Sequence, residues 1–150
     1  MKIGDQIPDL TLPDQNGQPI RLHDFIGKNP LVIFFYPKDN TPGCTREACS
    51  FRDSYHQFQA AGAHVIGIST DSVDSHRQFA DSHQLTYLLL SDPAQLAQKA
   101  FHVPRNLFGL LPGRVTYVTD IHGIVLHIYD SALQPRHHVR EALRVLQSPA

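Results

Sequence analysis

The sequence predicts an α/β fold in which helices flank a central mixed β-sheet. Two apolar runs rich in β-branched and aromatic residues, 31–36 and 64–69, are typical of strands that are covered on both faces. Helical segments alternate with these strands, which indicates a parallel core. A β-β-α pattern near the C-terminal end adds an antiparallel pair and makes the sheet mixed.

A short β-hairpin is predicted before the first buried strand. Residues 9–22 contain two short strands around Asp14-Gln15-Asn16-Gly17, and Asn-Gly favours the positive φ angles of tight hairpin turns. The strand at 31–36 follows, bounded by Pro30 and Pro37.

Capping residues delimit the predicted helices. Thr41 is a candidate N-cap with Pro42 at the first helical position, Gly62 follows the end of that helix, and Asp92 is a cap for a later one. The predicted helices are 42–60, 73–82, 92–101 and 134–146, and the remaining strands are 64–69, 87–90, 115–119 and 124–129. A β-α-β half joined to a β-β-α half is the arrangement of the thioredoxin fold, so we expect one thioredoxin-like domain over residues 1–150.

The composition excludes several classes of partner. The 150 residues include 13 basic and 14 acidic side chains, which gives a formal net charge of −1 and no support for a nucleic-acid or membrane surface. No apolar run approaches the roughly 20 residues that span a bilayer. The N-terminus resembles neither a signal peptide nor a transit peptide, so we expect a cytoplasmic protein.

The two cysteines, Cys44 and Cys49, are the strongest candidates for chemistry. Cys44 lies three residues after Thr41, in the first turn of a helix that follows a buried strand. Unpaired backbone N–H groups and the helix dipole stabilise a thiolate there. A close cysteine pair in a reducing compartment is more often redox-active or metal-binding than structural.

A disulfide between the two cysteines requires a change in the helix. Five residues of regular helix put the two Cα atoms roughly 8 to 9 Å apart. A disulfide is not made much beyond a Cα separation of about 7 Å. The sequence therefore predicts that the first turns unwind if Cys44 and Cys49 react, and Gly43 and the helix end make such opening easier.

The residues alone leave other interpretations open. Cys49 could be an inert core residue, since cysteine is among the most buried residue types. The pair could bind zinc or copper with a distant histidine, although no ligand doublet with metal-site spacing is present. A protein dithiol oxidoreductase is disfavoured because Cys-x-x-Cys is absent, and a non-catalytic thioredoxin-fold interaction domain is a further alternative.

Residues 35–53 resemble the active-site segment of the peroxiredoxins. Pro37, Thr41 and Cys44 match the pattern Pro-x-x-x-Thr-x-x-Cys of that family, and a second cysteine five residues on, with Glu47 between, is similar to the peroxiredoxin Q branch, also called bacterioferritin comigratory protein. Further similar segments are 4–9, 67–71, 90–92 and 108–118. The resemblance covers nearly the whole chain.

The resemblance implies a role for each of six residues. Cys44 would be the peroxidatic cysteine and Cys49 the resolving cysteine. Thr41 would hydrogen-bond the thiolate and the peroxide, and Arg114 would hold the thiolate and polarise the O–O bond. Pro37 would shape and shield the pocket, and Glu47 would orient the polar network. From the residues alone, each of the last four also fits a purely structural role.

The resemblance also implies the reaction and its partners. The substrate would be hydrogen peroxide or an organic hydroperoxide, reduced through a Cys44 sulfenic acid and an intramolecular Cys44–Cys49 disulfide. Thioredoxin or a similar dithiol protein would reduce that disulfide, and no metal or organic cofactor is needed. We expect a monomer. Phe35, Phe108, Leu110 and Leu111 are candidates for an apolar substrate pocket.

Overall fold

A five-stranded mixed sheet organises the computed structural model of the chain, which describes residues 1–106, 111–131 and 134–147. In chain order the elements are β1 (Thr11–Pro13), β2 (Pro19–Arg21), a 3₁₀ turn (Leu22–Phe25), β3 (Leu31–Phe35), α1 (Pro42–Asp53), α2 (Tyr55–Ala60), β4 (His64–Ser69), α3 (Val73–His83), β5 (Leu88–Ser91), α4 (Leu96–Ala100), β6 (Arg105–Asn106), β7 (Leu111–Pro112), β8 (Val115–Thr119), β9 (Val125–Asp130) and α5 (Pro135–Gln147). The predicted mixed sheet, its flanking helices and the N-terminal hairpin are confirmed.

The strand order β5-β4-β3-β8-β9 places β3 at the centre of the sheet. The strands β3, β4 and β5 are parallel, β8 is antiparallel to β3, and β9 is antiparallel to β8. Val115 pairs with Phe35, so the residue before β8 lies beside the carboxyl end of β3, where the chain leads into α1. Ligand and catalytic sites of parallel sheets are found at this edge.

Both faces of β3 are covered, which explains its uninterrupted apolar sequence. Successive strand side chains point to opposite faces. One face of the sheet packs against helices α1, α2, α3 and α5 through Val32, Phe34, Tyr36, Phe51, Phe58, Phe79 and Val139. The other face carries Leu31, Ile33 and Phe35, which pack with Phe101, Tyr117 and Leu12 of the N-terminal hairpin. Each fully buried large side chain stabilises the fold by about 1.5–3 kcal/mol.

The Asn-Gly signal marks the first hairpin turn, although the loop is longer than a two-residue turn. Asp14 N–H donates to Gln18 O, and Asp14 Oδ1 accepts from the N–H groups of Asn16 and Gln18. Within this loop only Gly17 has a positive φ, of 79°. The Asp14 carboxylate therefore organises the loop, with glycine supplying the left-handed residue.

Two helices differ from the sequence-based prediction. The predicted single helix over 42–60 is interrupted at Ser54, whose ψ of 7° lies outside the helical range, so α1 and α2 are separate. The helix predicted to start after Asp92 begins only at Leu96. The Asp92 carboxylate accepts from the N–H groups of Leu96, Ala97 and Gln98. It therefore caps the N-terminus of α4 although it is not the residue directly before the helix.

Among the described residues, the helices are too short or too polar for any of them to cross a membrane.

Replacing Phe51 by alanine should destabilise the fold strongly. The Phe51 ring is fully buried and stacks on Phe34, with ring centroids 4.4 Å apart. The cavity left in Phe51→Ala should lower the free energy of unfolding by about 3–5 kcal/mol, measured by urea denaturation. Leu126, which is 44% exposed on β9, is the control: Leu126→Ala should cost less than about 0.5 kcal/mol. Equal losses in the two variants would contradict this description of the core.

Candidate active site

Cys44 lies buried in the first turn of α1, at the carboxyl end of β3. Its side chain is 1% exposed and its thiol is free. The Thr45 N–H donates to Thr41 O at 2.8 Å, so the amides of Gly43 and Cys44 precede the first intrahelical hydrogen bond of the turn. The structure thus confirms the predicted position of Cys44 at a helix N-terminus.

One guanidinium connects Cys44 to Glu47. Arg114 Nη2 donates to Cys44 Sγ at 3.3 Å, and Arg114 Nη1 donates to Glu47 Oε1 at 2.8 Å. Cys44 and Glu47 are three residues apart and therefore share a face of α1. Arg114 is the residue directly before β8, and its side chain extends from there to Cys44 and Glu47. The backbone O of Arg114 accepts from Ser131 N–H at 3.2 Å. The sheet register therefore brings together side chains that are 70 residues apart in sequence.

The approach of Arg114 depends on the glycine before Cys44. A Cβ atom at Gly43 would lie 3.1 Å from Arg114 Nη2, a distance at which the guanidinium must shift. Arg114 is already fixed by its two donor contacts, so it has little freedom to move. Gly43 therefore leaves room for the guanidinium, whereas the sequence suggested only that it eases remodelling of the helix start.

Glu47 is completely buried beside this cation. Burial raises the pKa of Glu47 to about 8, and the neighbouring Arg114 opposes that rise without cancelling it. Glu47 therefore holds its proton near neutral pH. A protonated Glu47 leaves the single positive charge of Arg114 available to an ionised Cys44.

His138 lies behind Glu47, and the sequence gave little reason to select it. It is fully buried on α5, with Nδ1 at 2.8 Å from Thr116 Oγ1 and Nε2 at 2.8 Å from Ser131 O. Burial, with a smaller contribution from the charge of Arg114, lowers the pKa of His138 to about 4 against the opposing effect of its hydrogen bond to Ser131 O, so the ring is neutral at pH 7. His137 and His138 are adjacent in sequence, and only the three-dimensional packing distinguishes the buried one.

Thr41 and Pro37 lie in the loop that leads into α1. Thr41 occupies the N-cap position with extended φ and ψ, but it makes no side-chain cap hydrogen bond; its hydroxyl instead donates to Lys38 O at 2.9 Å. The predicted N-cap position of Thr41, with Pro42 at the first helical position, is therefore confirmed. The Thr41 side chain does not cap the helix, because the loop carbonyl competes for its hydroxyl. Pro37 is half-buried in the bend after β3.

A buried polar cluster fixes this loop. The Asp39 carboxylate accepts from Tyr36 Oη at 2.7 Å and Ser75 Oγ at 2.8 Å, and it lies 2.7 Å from His76 Nδ1. His76 Nε2 donates to Leu90 O at 3.0 Å, because a carbonyl oxygen can only accept. The cluster joins the loop to α3 and β5, and sequence patterns alone did not reveal it.

Cys49 is half-buried on α1 and is also a free thiol. Two hydrogen bonds hold the helix on either side of it: Tyr87 Oη donates to Ala48 O at 2.7 Å, and Arg52 Nη1 donates to His83 O at 2.7 Å. Both cysteines lie within one unbroken helix, where regular geometry keeps their Cα atoms roughly 8 to 9 Å apart.

The residues that the structure describes contain one set of three potential metal ligands, namely Asp39, Asp71 and His76. These side chains are already engaged in hydrogen bonds with protein groups. Neither Cys44 nor Cys49 belongs to the set, so the geometry gives no support to a metal site built on the cysteines.

Phe108 and Leu110, candidates for an apolar pocket, lie outside the described residues.

A sequence profile described as the AhpC/TSA family matches residues 3–128. The chain belongs to the AhpC/TSA family. It is similar to chloroplastic peroxiredoxin Q of Sedum lineare, with 51% identity over 145 residues that cover 97% of this chain and 77% of that protein. Chloroplastic peroxiredoxin Q of Oryza sativa subsp. japonica is 50% identical over 97% of this chain, which spans 66% of the rice protein.

Solved structures of this family have the same fold. Peroxidoxin BcpB of Mycobacterium tuberculosis is 42% identical, with a TM-score of 0.90 and coverage of 98% of this chain and 97% of that one. The bacterioferritin comigratory protein of Xanthomonas campestris is 31% identical, with a TM-score of 0.83 and coverage of 95% and 98%. These relatives confirm the thioredoxin-like peroxiredoxin fold and the peroxiredoxin Q branch, and they support a thiol-dependent peroxidase.

The cytoplasmic location expected from the sequence is corrected by the plant peroxiredoxins. The Sedum and rice relatives are named chloroplastic, which points to a plastid rather than the cytoplasm. The expectation rested on the composition of the N-terminal residues, and this feature gave the wrong compartment.

Glu47 should give this peroxiredoxin a pH-dependent stability that Glu47→Gln removes. The pKa of Glu47 is about 8 in the folded protein and 4.5 in the unfolded chain. The folded state therefore holds an extra proton between these pH values, and the free energy of unfolding falls as pH rises through them. His138, with a pKa lowered from 6.5 to about 4, has the opposite effect only below pH 6.5. Between pH 6.5 and 8 the variant should therefore gain stability relative to wild type.

Denaturant unfolding of both proteins across that pH window measures this difference. A constant difference in the free energy of unfolding from pH 6.5 to 8 would show that Glu47 is already ionised in the folded state.

Proposed function

We propose that the chain is a thiol peroxidase that reduces hydrogen peroxide and organic hydroperoxides with Cys44 and closes a Cys44–Cys49 disulfide. The observation that carries the proposal is the 3.3 Å contact of Arg114 Nη2 with Cys44 Sγ at the first turn of α1. A cation and unpaired amides at one sulfur favour the thiolate that peroxide reduction requires. The Xanthomonas relative is described with an alkyl peroxide reduction activity, which supports organic hydroperoxides as substrates.

The first step oxidises the sulfur of Cys44 by two electrons. The thiolate attacks the terminal oxygen of ROOH, so an S–O bond forms as the O–O bond breaks. Cys44 becomes a sulfenic acid, and the departing RO⁻ takes a proton from solvent to give an alcohol, or water from hydrogen peroxide. The Arg114 guanidinium and the Cys44 N–H would stabilise the negative charge as it moves from sulfur to the leaving oxygen.

Thr41, Pro37 and Glu47 would assist this step in different ways. The Thr41 hydroxyl uses its proton on Lys38 O, so its lone pairs are available to accept a hydrogen bond from the peroxide O–H. Pro37 would shape the pocket wall and shield it from water. Glu47 would fix the second arm of Arg114 and so orient the arm on sulfur.

Resolution would require α1 to open. Cys49 attacks the sulfenic sulfur of Cys44, an S–S bond forms, and the S–O bond breaks to release water. The hydrogen bonds from Tyr87 to Ala48 and from Arg52 to His83 hold the helix around Cys49, so these are the contacts that opening must overcome. Helix ends open at lower free-energy cost than core elements, which makes the first turn the part to move.

We further propose that thioredoxin reduces the disulfide by thiol–disulfide exchange, and that the protein acts as a monomer with residues 1–150 forming one domain. The half-buried position of Cys49 supports attack by an external dithiol once the helix has opened. No metal or organic cofactor takes part in this scheme.

Substitution of the two cysteines tests the scheme. Cys44→Ser should abolish peroxide reduction, because it removes the nucleophile. Cys49→Ser should keep the first reaction of Cys44 with peroxide but lose turnover with thioredoxin, thioredoxin reductase and NADPH. Rapid-mix reaction with one equivalent of peroxide measures the first reaction, and NADPH oxidation measures turnover.

Three outcomes decide between the parts of the proposal. Peroxide reduction by Cys44→Ser would overturn the peroxidase. Full turnover by Cys49→Ser would remove Cys49 from the mechanism. Turnover with dithiothreitol but not with thioredoxin would leave the peroxidase intact and reject thioredoxin as the reductant.

A further inference from the structure

Three exposed arginines carry charges that no described carboxylate balances. Among the arginines whose side chains the structure describes, those in ion pairs with carboxylates are Arg21, Arg52, Arg77, Arg114 and Arg144. The others are Arg46 on α1 and Arg136 and Arg140 on α5, which are exposed and form no ion pair with a described group. The unbalanced positive charge is therefore concentrated on two neighbouring helices.

The three arginines line two cavities between α1 and α5. The residues around the first cavity, of about 290 Å³, are Arg46, Gln134, Arg136 and His137. The second cavity, of about 390 Å³, is lined on α5 by Arg136, Val139, Arg140 and Leu143, and on the α1 side by Ser50 and Asp53. Arg136 borders both cavities, so they form one continuous surface, which we call the α1–α5 groove.

The groove is a cationic face on a slightly acidic protein. Asp53 is the acidic side chain described along it, and its Oδ1 already accepts from Nε and Nη2 of Arg52 at 3.0 and 2.9 Å. The whole chain has a formal net charge of −1, so the part outside the three arginines carries −4. An acidic partner is therefore attracted at the groove and repelled by the rest of the surface, which orients it as it approaches.

The groove adjoins the helix that carries both cysteines. Arg46 lies between Cys44 and Cys49 in sequence, Ser50 follows Cys49 directly, and both Arg46 and Ser50 line the groove. A protein that reduces a Cys44–Cys49 disulfide has to contact α1, and protein interfaces cover roughly 500–800 Å² of each partner. Because α5 packs against α1, an interface of this size extends from the cysteines onto α5 and includes the groove.

We propose that the α1–α5 groove is the docking site for an acidic surface of the dithiol protein that reduces the Cys44–Cys49 disulfide. The proposal rests on the proposed function, which supplies the disulfide and the dithiol. The guanidinium groups are spread over two cavities, and Arg136 and Arg140 are about 6 Å apart along the helix axis. This spacing fits several carboxylates on a protein surface, whereas one small anion would contact a single cavity.

Docking would place the partner for an exchange of one disulfide for another. A thiolate of the partner attacks one sulfur of the Cys44–Cys49 disulfide, the S–S bond breaks, and the other cysteine leaves as a thiolate. The second thiol of the partner then displaces the bound cysteine, so the partner is released as a disulfide and both cysteines are reduced. Arg46 moves with α1 when the helix opens, whereas Arg136 and Arg140 on α5 stay in place throughout.

The test compares two double variants that remove the same charge from different faces. Arg136→Gln/Arg140→Gln neutralises the α5 side of the groove, and glutamine retains a high helix propensity. The control is Lys2→Gln/Lys28→Gln. These exposed lysines lie near the amino end of β3, at the edge of the sheet opposite to the start of α1, because Lys28 precedes β3 and the N-terminal residues bond to the start of β9.

The rate of disulfide reduction measures docking without any peroxide. Each protein is oxidised with diamide and mixed with a reduced acidic thioredoxin, whose fluorescence follows the exchange. At an ionic strength of about 0.01 M, Arg136→Gln/Arg140→Gln should react about 10-fold more slowly than wild type, and the lysine control should stay within about twofold. At about 1 M the rate constants should converge, because screening shortens the reach of the charges to about 3 Å. Dithiothreitol should reduce all three proteins equally fast.

A change on the side of the partner completes the comparison. A thioredoxin whose surface Asp and Glu residues are replaced by Asn and Gln should react equally fast with wild type and with Arg136→Gln/Arg140→Gln. A difference that persists with this neutralised thioredoxin would overturn the proposal, because charge complementarity would not be its cause. Equal slowing of the arginine variant and the lysine control would also overturn it, since net charge alone would then explain the rates.

Two other occupants of the groove predict different results, and either result would overturn the proposal. An anionic substrate predicts that Arg136→Gln/Arg140→Gln slows oxidation of Cys44 by a hydroperoxide that carries a carboxylate, while the rates with hydrogen peroxide and with thioredoxin stay unchanged. A second copy of the chain predicts a wild-type dimer in size-exclusion chromatography that the arginine variant lacks, again with unchanged thioredoxin rates.

Failure of the docking proposal and failure of the proposed function give distinct results. If peroxide does not oxidise Cys44 but the exchange rates behave as expected, the peroxidase is wrong and the docking site stands. A protein that forms no Cys44–Cys49 disulfide with diamide would overturn the docking proposal. If the arginine variant does not fold, wild type decides: the rate constant with acidic thioredoxin should fall by about 10-fold or more from about 0.01 to 1 M salt while the rate with dithiothreitol stays constant, and a smaller fall would overturn the proposal.

Discussion

The guanidinium of Arg114 is the interaction on which the arrangement of the site depends. It is largely buried, and it donates from one arm to Cys44 Sγ and from the other to Glu47 Oε1. Taking such a cation out of water is costly unless its donors are paired. The two acceptors on one face of α1 provide that pairing, and Gly43 leaves the space for it. One positive charge faces two groups that can each become negative, so the protonation of one controls the electrostatics of the other.

The fold holds this charge in place from several directions. The antiparallel pairing of β8 with β3 fixes Arg114 next to the start of α1, and the buried rings of Phe34 and Phe51 fix the helix on the sheet. The Asp39 cluster fixes the loop that leads to Thr41. The same rigidity opposes disulfide formation, since Cys44 and Cys49 are on one regular helix. Precise positioning for the first step and local opening for the second are therefore competing demands on α1.

The parts of this account that sequence could predict are local. The run of apolar residues predicts the buried strand β3. Thr41 and Pro42, only a few residues further on, predict the helix start at Cys44. Arg114 could be selected only through the resemblance to peroxiredoxins, because its contact with Cys44 depends on the sheet register. His138 could not be selected at all, since its neighbour His137 has the same side chain and only packing buries one of them. The Thr41 hydroxyl and the interruption at Ser54 depend on loop geometry that no short pattern encodes.

The most direct test of the central role of Arg114 is the rate of the first reaction with hydrogen peroxide in Arg114→Lys. Lysine keeps the positive charge but cannot donate in a fixed fork to both Cys44 and Glu47. With the fold shown intact by circular dichroism, the second-order rate constant at pH 7 should fall by about 100-fold or more relative to wild type. A rate within about threefold of wild type would contradict the account, because it would show that charge alone, without the two-armed contact, is sufficient.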